Sequence, residues 1–417
     1  MVDFLVSSGW DKNLAVIVAS ALGAVAVSSL GLVWILVSIW LERKFAGRVQ
    51  DRLGPNRTGP YGLFQTFADV GKLLTKEDIT PAGADKHIYN LAPIMAVASV
   101  ILIFGVIPFS HNWIGADLNV GALYFVAVGS FATLAVLLAG WASNNKYALL
   151  GAFRAIAALI SYEVPMILSL AVPVMLAGSM SMQDIVKGQS IAYVFAVPVS
   201  ALIFFISQLA EVGRSPFDLI EAESEIVAGF NIEYSGMKFA MFYAAEFIHA
   251  FVICTLTAVL FFGGWRLFGF GTPGQELMGW ITVWAKSFAL YVVVMLLRNT
   301  LPRIRIDQMM GFNWKFLVPL SLVNFLMVMF LARPFTPDYA AADAAVAAGG
   351  LAAVIGGIFG NGFIAELPRT VVLLIANIVL FWGAVSLLRR YGAAQRQLIE
   401  ARYGTPKAVA PAPATGD

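Results

Sequence analysis

Charged residues are scarce in this chain of 417 residues: they make up 12% of it, while hydrophobic residues make up 59%. Soluble globular proteins carry about 25% charged residues, so the composition excludes that class. Many apolar runs approach or exceed the roughly 20 residues that a helix needs to span a membrane. The sequence therefore predicts an all-α polytopic membrane protein. A formal net charge of +2 gives no reason to expect nucleic-acid binding.

Cysteine and histidine are almost absent, with one cysteine, Cys254, and three histidines, His87, His111 and His249. A single cysteine excludes an internal disulfide and any cysteine-ligated iron–sulfur cluster or zinc site within this chain. Only His249 falls inside a predicted span, which excludes a haem held by two histidines. The sequence also has no nucleotide-binding glycine loop, P-loop or nucleophile elbow. We therefore expect no flavin, haem, iron–sulfur cluster or metal here and no catalytic residue in this chain alone, so that other subunits must carry any electrons.

Nine apolar runs are predicted to cross the membrane, and Lys and Arg are unevenly distributed between the loops that join them. Loops after the odd-numbered spans carry sixteen of these residues, and loops after the even-numbered spans carry four. Because cytoplasmic loops are enriched in Lys and Arg, the N-terminus is predicted outside the membrane and the C-terminus on the cytoplasmic side. The spans are predicted at about 13–40, 90–108, 120–142, 148–178, 191–210, 239–263, 278–297, 316–332 and 370–388.

The chain is predicted to divide into three regions. Residues 1–332 contain the first eight spans. Residues 333–388 form an Ala- and Gly-rich extension with the ninth span, in which 344–360 is too rich in glycine to be assigned as a span but is compatible with a re-entrant or surface helix. Residues 389–417 are a basic cytoplasmic tail that ends in a disordered Pro/Ala segment. Without the ninth span this basic tail would lie outside, against the charge rule.

The first long loop has an amphipathic pattern over residues 62–76. At helical spacing its apolar residues share one side and its polar residues the other, which predicts a helix lying in the membrane interface. Such a helix usually serves as an anchor, but the basic cluster before it could bind lipid headgroups or an acidic partner. The apolar side is Leu63, Phe64, Phe67, Val70, Gly71 and Leu74, the polar side is Gln65, Asp69, Lys72 and Lys76, and the basic cluster is Arg43, Lys44, Arg48, Arg52 and Arg57.

The polar stretch 208–238 carries an excess of acid between two apolar runs. It holds six carboxylates against only Arg214 and Lys238. A solvated loop is one interpretation. The apolar residues within the stretch, notably 216–220 and Phe230, favour instead an acidic, partly buried path at the membrane face. The six carboxylates are Glu211, Asp218, Glu221, Glu223, Glu225 and Glu233.

Ionisable residues also occur inside the predicted spans. Glu163 lies in a long span that two prolines interrupt. A carboxylate at that depth costs about 2.5–3.5 kcal/mol, which favours a proton relay over a purely structural hydrogen bond. Glu246 and His249 are predicted to share one helical face. Lys286 needs a counter-charge, and Glu246 is a candidate partner.

Four stretches are recognisable: ERKFAGRVQDRLGPNRTGPYGLFQTFADVGKLLTKEDITP at 42–81, FRAIAALISYEVPMIL at 153–168, the acidic segment at 211–236 and RNTLPRIRIDQMMGFNWKFLVPL at 298–320. They resemble the H-subunit family of NADH:quinone oxidoreductase, respiratory complex I, whose members form the quinone pocket in the membrane. The resemblance covers about residues 14–332. The extension beyond it exceeds the short form of the family.

The resemblance implies a membrane subunit of a proton-translocating enzyme that reduces quinone, its bound substrate, at the junction of a hydrophilic arm and a membrane arm. It implies as partners the hydrophilic iron–sulfur subunits on the cytoplasmic face, small membrane subunits beside the chain, and lipid. The residues implied to border the quinone are Arg43, Phe64, Asp69, Lys72 and Phe230. Those implied to relay protons are Glu163, Glu211, Asp218, Glu221, Glu223, Glu225, Glu233 and Glu246, and those implied to dock the peripheral arm are Arg298, Arg303, Arg305 and Asp307.

Two other functions remain open from the residues. The homologous anchor protein of a membrane-bound hydrogenase or ferredoxin-linked complex would share much of the pattern. A stand-alone proton or cation transporter would also use intramembrane acids and proline-broken helices, but it would not need such large cytoplasmic loops. The amphipathic helix and its basic loop favour the quinone enzyme.

Overall fold

A computed structural model describes residues 11–218, 228–267, 276–348 and 360–403, together with Ser7. The regular elements in these ranges are helical, which confirms the prediction of an all-α polytopic membrane protein. In chain order they are α1 (Lys12–Val49), α2 (Gln65–Thr75), α3 (Lys86–Phe104), α4 (Gly121–Ala142), α5 (Lys146–Ala177), α6 (Met182–Lys187), α7 (Tyr193–Ala196), α8 (Pro198–Glu211), α9 (Gly236–Phe261), α10 (Glu276–Thr300), α11 (Ile306–Phe312), α12 (Val318–Ala332), α13 (Tyr339–Ala347) and α14 (Asn361–Tyr403).

Within the described ranges, eight helical stretches are long and apolar enough to cross a membrane. Seven of them are α1, α3, α4, α5, α9, α10 and α14, and the eighth is α11 continued through a π-helical turn, Asn313–Leu317, into α12. These helices coincide with eight of the nine predicted spans. The remaining predicted span, 191–210, has a different structure.

The fifth predicted span is broken, so the expectation of one continuous helix over 191–210 is wrong. The four-residue helix α7 ends at Ala196. The next residue, Val197, has a φ of −131° and a ψ of 61°, which are not helical, and α8 begins afresh at Pro198. Proline has no N–H and disfavours a helical conformation at the residue before it. The helix therefore restarts at the proline, and α8 has only 14 residues.

Helix α9 forms the centre of the bundle. Its second half, from Ile248 to Phe261, is buried on every side. Aromatic rings fasten it to its neighbours: the ring centroid of Phe251 lies 3.9 Å from that of Trp34 in α1 and 4.9 Å from that of Trp284 in α10. Helices around α9 expose apolar side chains on their outer faces, as helices in contact with lipid do.

The amphipathic helix predicted at 62–76 is present as α2, preceded by a 3₁₀ turn, Pro60–Gly62. The apolar residues Leu63, Phe64, Phe67 and Leu74 are all about half exposed or more. Only the short polar side chain of Thr66 is buried. The apolar side of α2 is thus available to lipid or to a ligand in the membrane interface.

Two prolines lie inside α5 without interrupting it, contrary to the expectation from the sequence. The helix continues through Pro165 and Pro173 to Gly178, whose φ of +68° provides a left-handed C-cap. Membrane helices tolerate proline because neighbouring groups can satisfy the freed carbonyls. Glu163 therefore lies on a continuous helix.

The extension contains one short helix, α13, and the long helix α14. The ninth predicted span, 370–388, lies entirely within α14. The predicted re-entrant or surface helix at 344–360 falls largely on residues 349–359, which are outside the described residues, as are residues 404–417 of the predicted disordered tail.

Candidate functional site

A cluster of charged side chains joins α1, α9 and α10 to the residues after α8. Glu42 accepts hydrogen bonds from Arg214 Nη1 at 2.9 Å and from Tyr291 Oη at 2.6 Å. Arg298 pairs with the same carboxylate. Arg214 Nε lies 3.1 Å from Glu246 Oε1, an ion pair without an aligned hydrogen bond. Two acids and two arginines thus neutralise one another, which the two buried members, Glu42 and Arg214, require.

Arg214 is the most deeply buried member of this cluster, with 2% of its surface exposed. Its guanidinium carbon lies 4.6 Å from the ring centroid of Phe247. Burial by itself lowers the pKa of Arg214, but the carboxylates of Glu246 and Glu42 raise it above its ordinary value. The guanidinium is therefore a permanent positive charge between two acids.

A cavity of about 180 Å³ adjoins the charged cluster. Glu246 and His249 both line it, as expected for two residues on one face of α9. His249 is buried, and its Nε2 has no hydrogen-bond partner among the described residues. A cavity of this size with eight polar residues in its wall can hold several water molecules, which would satisfy that nitrogen. The polar wall residues are Thr133, Glu211, Arg214, Asp218, Tyr243, Glu246, His249 and Arg298.

Two carboxylates of the predicted relay interact near this cavity: Glu211 lines it, whereas Glu163 is not among its lining residues. Glu211, the last residue of α8, is 7% exposed and accepts a hydrogen bond from Gln208 Nε2 at 3.2 Å. Glu163 of α5 accepts a hydrogen bond from Thr133 Oγ1 at 3.4 Å, and Thr133 itself lines the cavity. The charges of Glu163 and Glu211 are close enough to interact. At Gly129, an added Cβ would lie only 3.5 Å from Glu211 Oε1, so α4 approaches this carboxylate closely.

The rest of the acidic segment is only partly described. Burial raises the pKa of the Asp218 carboxyl in the cavity wall, while the charges of Arg303 and Arg214 oppose that rise. Glu233 is not among the residues that line the cavity, and its carboxylate accepts a hydrogen bond from Asn145 Nδ2 at 2.6 Å. The other three predicted relay acids, Glu221, Glu223 and Glu225, lie outside the described residues.

The residues predicted to border the quinone fall into two places. Arg43 of α1 pairs with Asp69 of α2, and Phe64 and Lys72 are exposed on and beside the same short helix. Phe230 is buried in the wall of the cavity instead. The structure therefore brings four of the five together around α2 and sets the fifth beside the acids.

A close backbone approach holds Phe230 in place. It lies in a 3₁₀ turn, Gly229–Asn231, and its ring packs edge-on against Phe242 with centroids 5.2 Å apart. Gly229 has a φ of +72°. A Cβ added at Gly151 of α5 would lie 2.7 Å from Gly229 Cα and 3.0 Å from Phe230 N. Only a glycine at position 151 allows α5 to pack this closely against the turn.

Lys286 does not pair with Glu246, so this predicted pairing is wrong. Its ammonium donates hydrogen bonds to the carbonyl oxygens of Phe262 at 2.7 Å and Gly264 at 2.9 Å, and to that of Arg266. These carbonyls follow the C-terminal end of α9. At 1.5 Å per residue, Glu246 lies about 24 Å away along that helix. Helical periodicity predicts the face of a helix on which a residue lies, but it does not predict which part of a neighbouring helix that residue contacts.

The residues predicted to dock the peripheral arm also separate. Arg303, Arg305 and Asp307 are exposed, whereas Arg298 reaches inward to Glu42 and lines the cavity. The loop that carries the exposed three is tied to the acidic segment, because Ile304 N donates to Pro216 O at 3.2 Å and Ser215 Oγ donates to Leu301 O at 3.1 Å. The docking role itself stays a prediction.

Sequence reasoning missed Glu42 and Tyr291, which complete the charged cluster. Glu42 lies at the end of a span beside five basic residues, where an acid is normally solvated or paired on the surface. Its partners are separated from it by more than 170 residues of sequence. The one available signal was that Glu42 opens the first of the four recognisable stretches.

Comparison with known proteins places this arrangement in a family. The sequence profile of the NADH dehydrogenase family matches residues 22–329. The chain belongs to this NADH dehydrogenase family. Its family relatives include the H subunit of NADH-quinone oxidoreductase from Dehalococcoides mccartyi, 47% identical over 305 residues, which are 73% of this chain and 84% of the relative.

Two further relatives carry comparable names. The H subunit of NADH-quinone oxidoreductase from Geobacillus kaustophilus is 46% identical over 325 residues, 76% of this chain and 94% of the relative. The protein named as the second H subunit in Geobacter sulfurreducens is 49% identical over 299 residues, 69% of this chain and 89% of the relative. The predicted resemblance to the H-subunit family is thereby confirmed. The NADH dehydrogenase family match ends before α13 and α14 begin.

Proposed function

We propose that this chain is the quinone-pocket membrane subunit of a proton-translocating NADH:quinone oxidoreductase in a bacterial plasma membrane, and that its acidic cavity couples quinone reduction to proton movement. The names of its relatives support the enzyme. The observation that carries the coupling role is the cavity itself, which brings Glu211, Asp218 and Glu246 to one space beside the buried Arg214.

Helix α2 is suited to be the doorway for the quinone tail. An isoprenoid tail needs an apolar opening at the membrane interface, and α2 exposes Phe64 and Phe67 there while Asp69 holds Arg43 on the polar side. The residues that follow α2 are hydrogen-bonded to the start of α9. Ser235 Oγ accepts a hydrogen bond from Ile79 N at 3.0 Å and donates one to Glu77 O at 3.3 Å.

The acids at the cavity can respond to quinone chemistry. Quinone reduction takes up two protons and passes through negatively charged forms. A new negative charge near carboxylates favours their protonation, because like charges disfavour ionisation. Glu211 and Glu163 would then take up or pass on protons as one coupled group, with no single acid acting as the site. Water in the cavity, together with the imidazole of His249, would connect them to Glu246.

Arg214 has a different role in this scheme. As a permanent positive charge between Glu42 and Glu246, it keeps the cluster assembled while neighbouring acids change their protonation. The exposed Arg303, Arg305 and Asp307 form the surface proposed to dock the hydrophilic arm, which supplies the electrons. Their loop is hydrogen-bonded to the acidic segment, so docking and the cavity would be mechanically connected.

The test is to neutralise Glu211 and Glu225 one at a time in the assembled enzyme. We expect Glu211→Gln and Glu225→Gln to lower quinone reduction and proton translocation by about tenfold or more, since an amide cannot exchange a proton. The partner subunits should still oxidise NADH at the normal rate when an artificial electron acceptor is supplied in place of quinone. Asp343→Asn, which changes an exposed acid on α13, is the matched control. Normal quinone turnover and a normal proton-to-electron ratio in both glutamate variants would refute the proposal.

A further inference from the structure

Helix α8 begins where water cannot solvate its backbone. Its 14 residues rise about 21 Å, less than the roughly 30 Å of a bilayer core. Its first turn is buried in the protein, with Val197 and Ser200 0% exposed and Val199 5% exposed. The first N–H groups of a helix have no partner within the helix. Val197, the residue before α8, has a side chain that cannot accept a hydrogen bond. Pro198 removes one orphan donor, and Val199 presents the next.

Helix α14 supplies the missing acceptor for α8 and a second acceptor for the backbone just before α7. Asn377 Oδ1 accepts a hydrogen bond from Val199 N at 3.3 Å, and Glu366 Oε2 accepts one from Ile191 N at 3.0 Å. Both side chains are almost fully buried, with exposures of 0% and 2%. Eleven residues separate them, which is about three turns, so they lie on one face of α14. Asn377 Nδ2 also donates to Leu373 O at 2.9 Å, which fixes the orientation of the amide.

A second asparagine holds the next residue of the same turn. Asn324 of α12 donates to Ser200 Oγ, so Val199 and Ser200 are held from two sides. Of these two asparagines, only Asn377 belongs to the extension beyond the family match. The N–H group of Val199 at the break in the fifth span is therefore satisfied by a residue outside the region that matches the family.

The far end of α8 is the functional end. It terminates at Glu211, and three residues later Arg214 enters the charged cluster. Because a helix transmits displacement along its axis as a stiff element, a shift of its first turn moves Glu211 relative to Glu163 and the cavity. We propose that Asn377, presented by α14, is a positioning residue for the acidic cavity: by capping α8 it sets the place of Glu211. This inference rests on the proposed coupling function of that cavity.

The experiment uses three variants of the assembled enzyme in membrane vesicles. Asn377→Leu removes the acceptor but keeps the number and branching of the side chain's heavy atoms, Asn377→Asp keeps an acceptor oxygen in the same place, and Asn361→Leu makes the same change at an exposed site of the same helix. Misplacing a reacting group by about 1 Å can cost up to 10²-fold in rate. We expect Asn377→Leu to lower quinone turnover about tenfold and to lower the proton-to-electron ratio, with normal NADH oxidation at the partner subunits.

Rescue separates positioning from general loss of structure. We expect Asn377→Asp to restore most of the turnover and Asn361→Leu to match the unmodified enzyme. If Asn377→Leu prevents assembly, Asn377→Ala, which removes the acceptor without adding bulk, takes its place in the same comparison. Normal turnover and ratio in the assembled variant would overturn the inference, and so would an Asn377→Asp enzyme as impaired as the leucine variant.

Glu211→Gln measured in parallel distinguishes the two proposals. If Glu211→Gln is impaired while Asn377→Leu is normal, the cavity keeps its function and only the positioning role fails. If Glu211→Gln is itself normal, the proposed function fails, whatever the asparagine variants show.

Discussion

Arg214 is the residue at which the charge balance of the site can be tested most directly. Replacing it with methionine keeps much of its apolar stem but leaves Glu42 and Glu246 without their shared positive charge. Removing one partner of a buried ion pair costs about 3–5 kcal/mol. We therefore expect Arg214→Met to lower the amount of assembled enzyme and its thermal stability in detergent, measured as the temperature at which half of the quinone reductase activity is lost.

The control for this change is Arg48→Met. Arg48 lies exposed in the last turn of α1, six residues from Glu42, and surface substitutions usually change stability by no more than about 0.5 kcal/mol. Equal stability of the Arg214 and Arg48 variants would show that the buried cluster contributes little to assembly.

Single residues could be predicted from the sequence where the argument was local. Glu246 and His249 share a face of α9 because three residues separate them, and that was readable from spacing alone. The partners of Lys286 could not be predicted from spacing. Its ammonium binds three backbone carbonyls of a turn whose position depends on the packing of α9 against α10. Glu42 and Asn377 were missed for the same reason: their roles arise from contacts with residues far away in sequence.

At the scale of elements, the contact between α5 and the turn that carries Phe230 gives a sharp prediction. In Gly151→Ala the new methyl group would lie 2.7 Å from Gly229 Cα, so the turn must move. Overpacking of this kind costs about 1–3 kcal/mol. We expect the apparent KM for quinone to rise about tenfold, the equivalent of about 1.4 kcal/mol, because Phe230 shifts in the cavity wall, while kcat changes less.

Gly23→Ala is the matched control, because Gly23 lies in the membrane helix α1 with nothing within 4 Å of an added Cβ. The measurement is the quinone dependence of NADH oxidation in vesicles. An unchanged KM in Gly151→Ala would show that the turn yields without moving Phe230.

The positions of most helices could be predicted from hydropathy and periodicity. The amphipathic pattern at 62–76 became α2, and the ninth apolar run became part of α14, because both patterns are local and strong. The break between α7 and α8 was missed although Pro198 marks it, because the surrounding run is uniformly apolar and hydropathy does not register a lost hydrogen bond. That break places Glu211 at the end of a short, separately capped helix.

For the molecule as a whole, the short helix α8 decides the topology. If the segment from α7 through α8 crosses the membrane, the loops around Glu42, Arg214 and Arg298 share one face, as their ion pairs require. If it does not cross, every later helix has the opposite orientation, and the basic residues after α10 lie outside, against the charge rule. The contact between Arg214 and Glu42 supports crossing, because it joins the end of α8 to the end of α1.

This topology can be measured because Cys254 is the only cysteine in the sequence and is fully buried. Single cysteines at Asp11, Thr336 and Ala393 would occupy exposed positions before α1, after α12 and late in α14. We expect a membrane-impermeant maleimide to label Asp11→Cys and Thr336→Cys in intact cells, and Ala393→Cys only in inverted vesicles. Permeabilised cells should label all three, and the unmodified chain should stay unlabelled. Labelling of Ala393→Cys but not Thr336→Cys in intact cells would mean that α8 does not cross, and would place the acidic segment on the opposite face from Glu42.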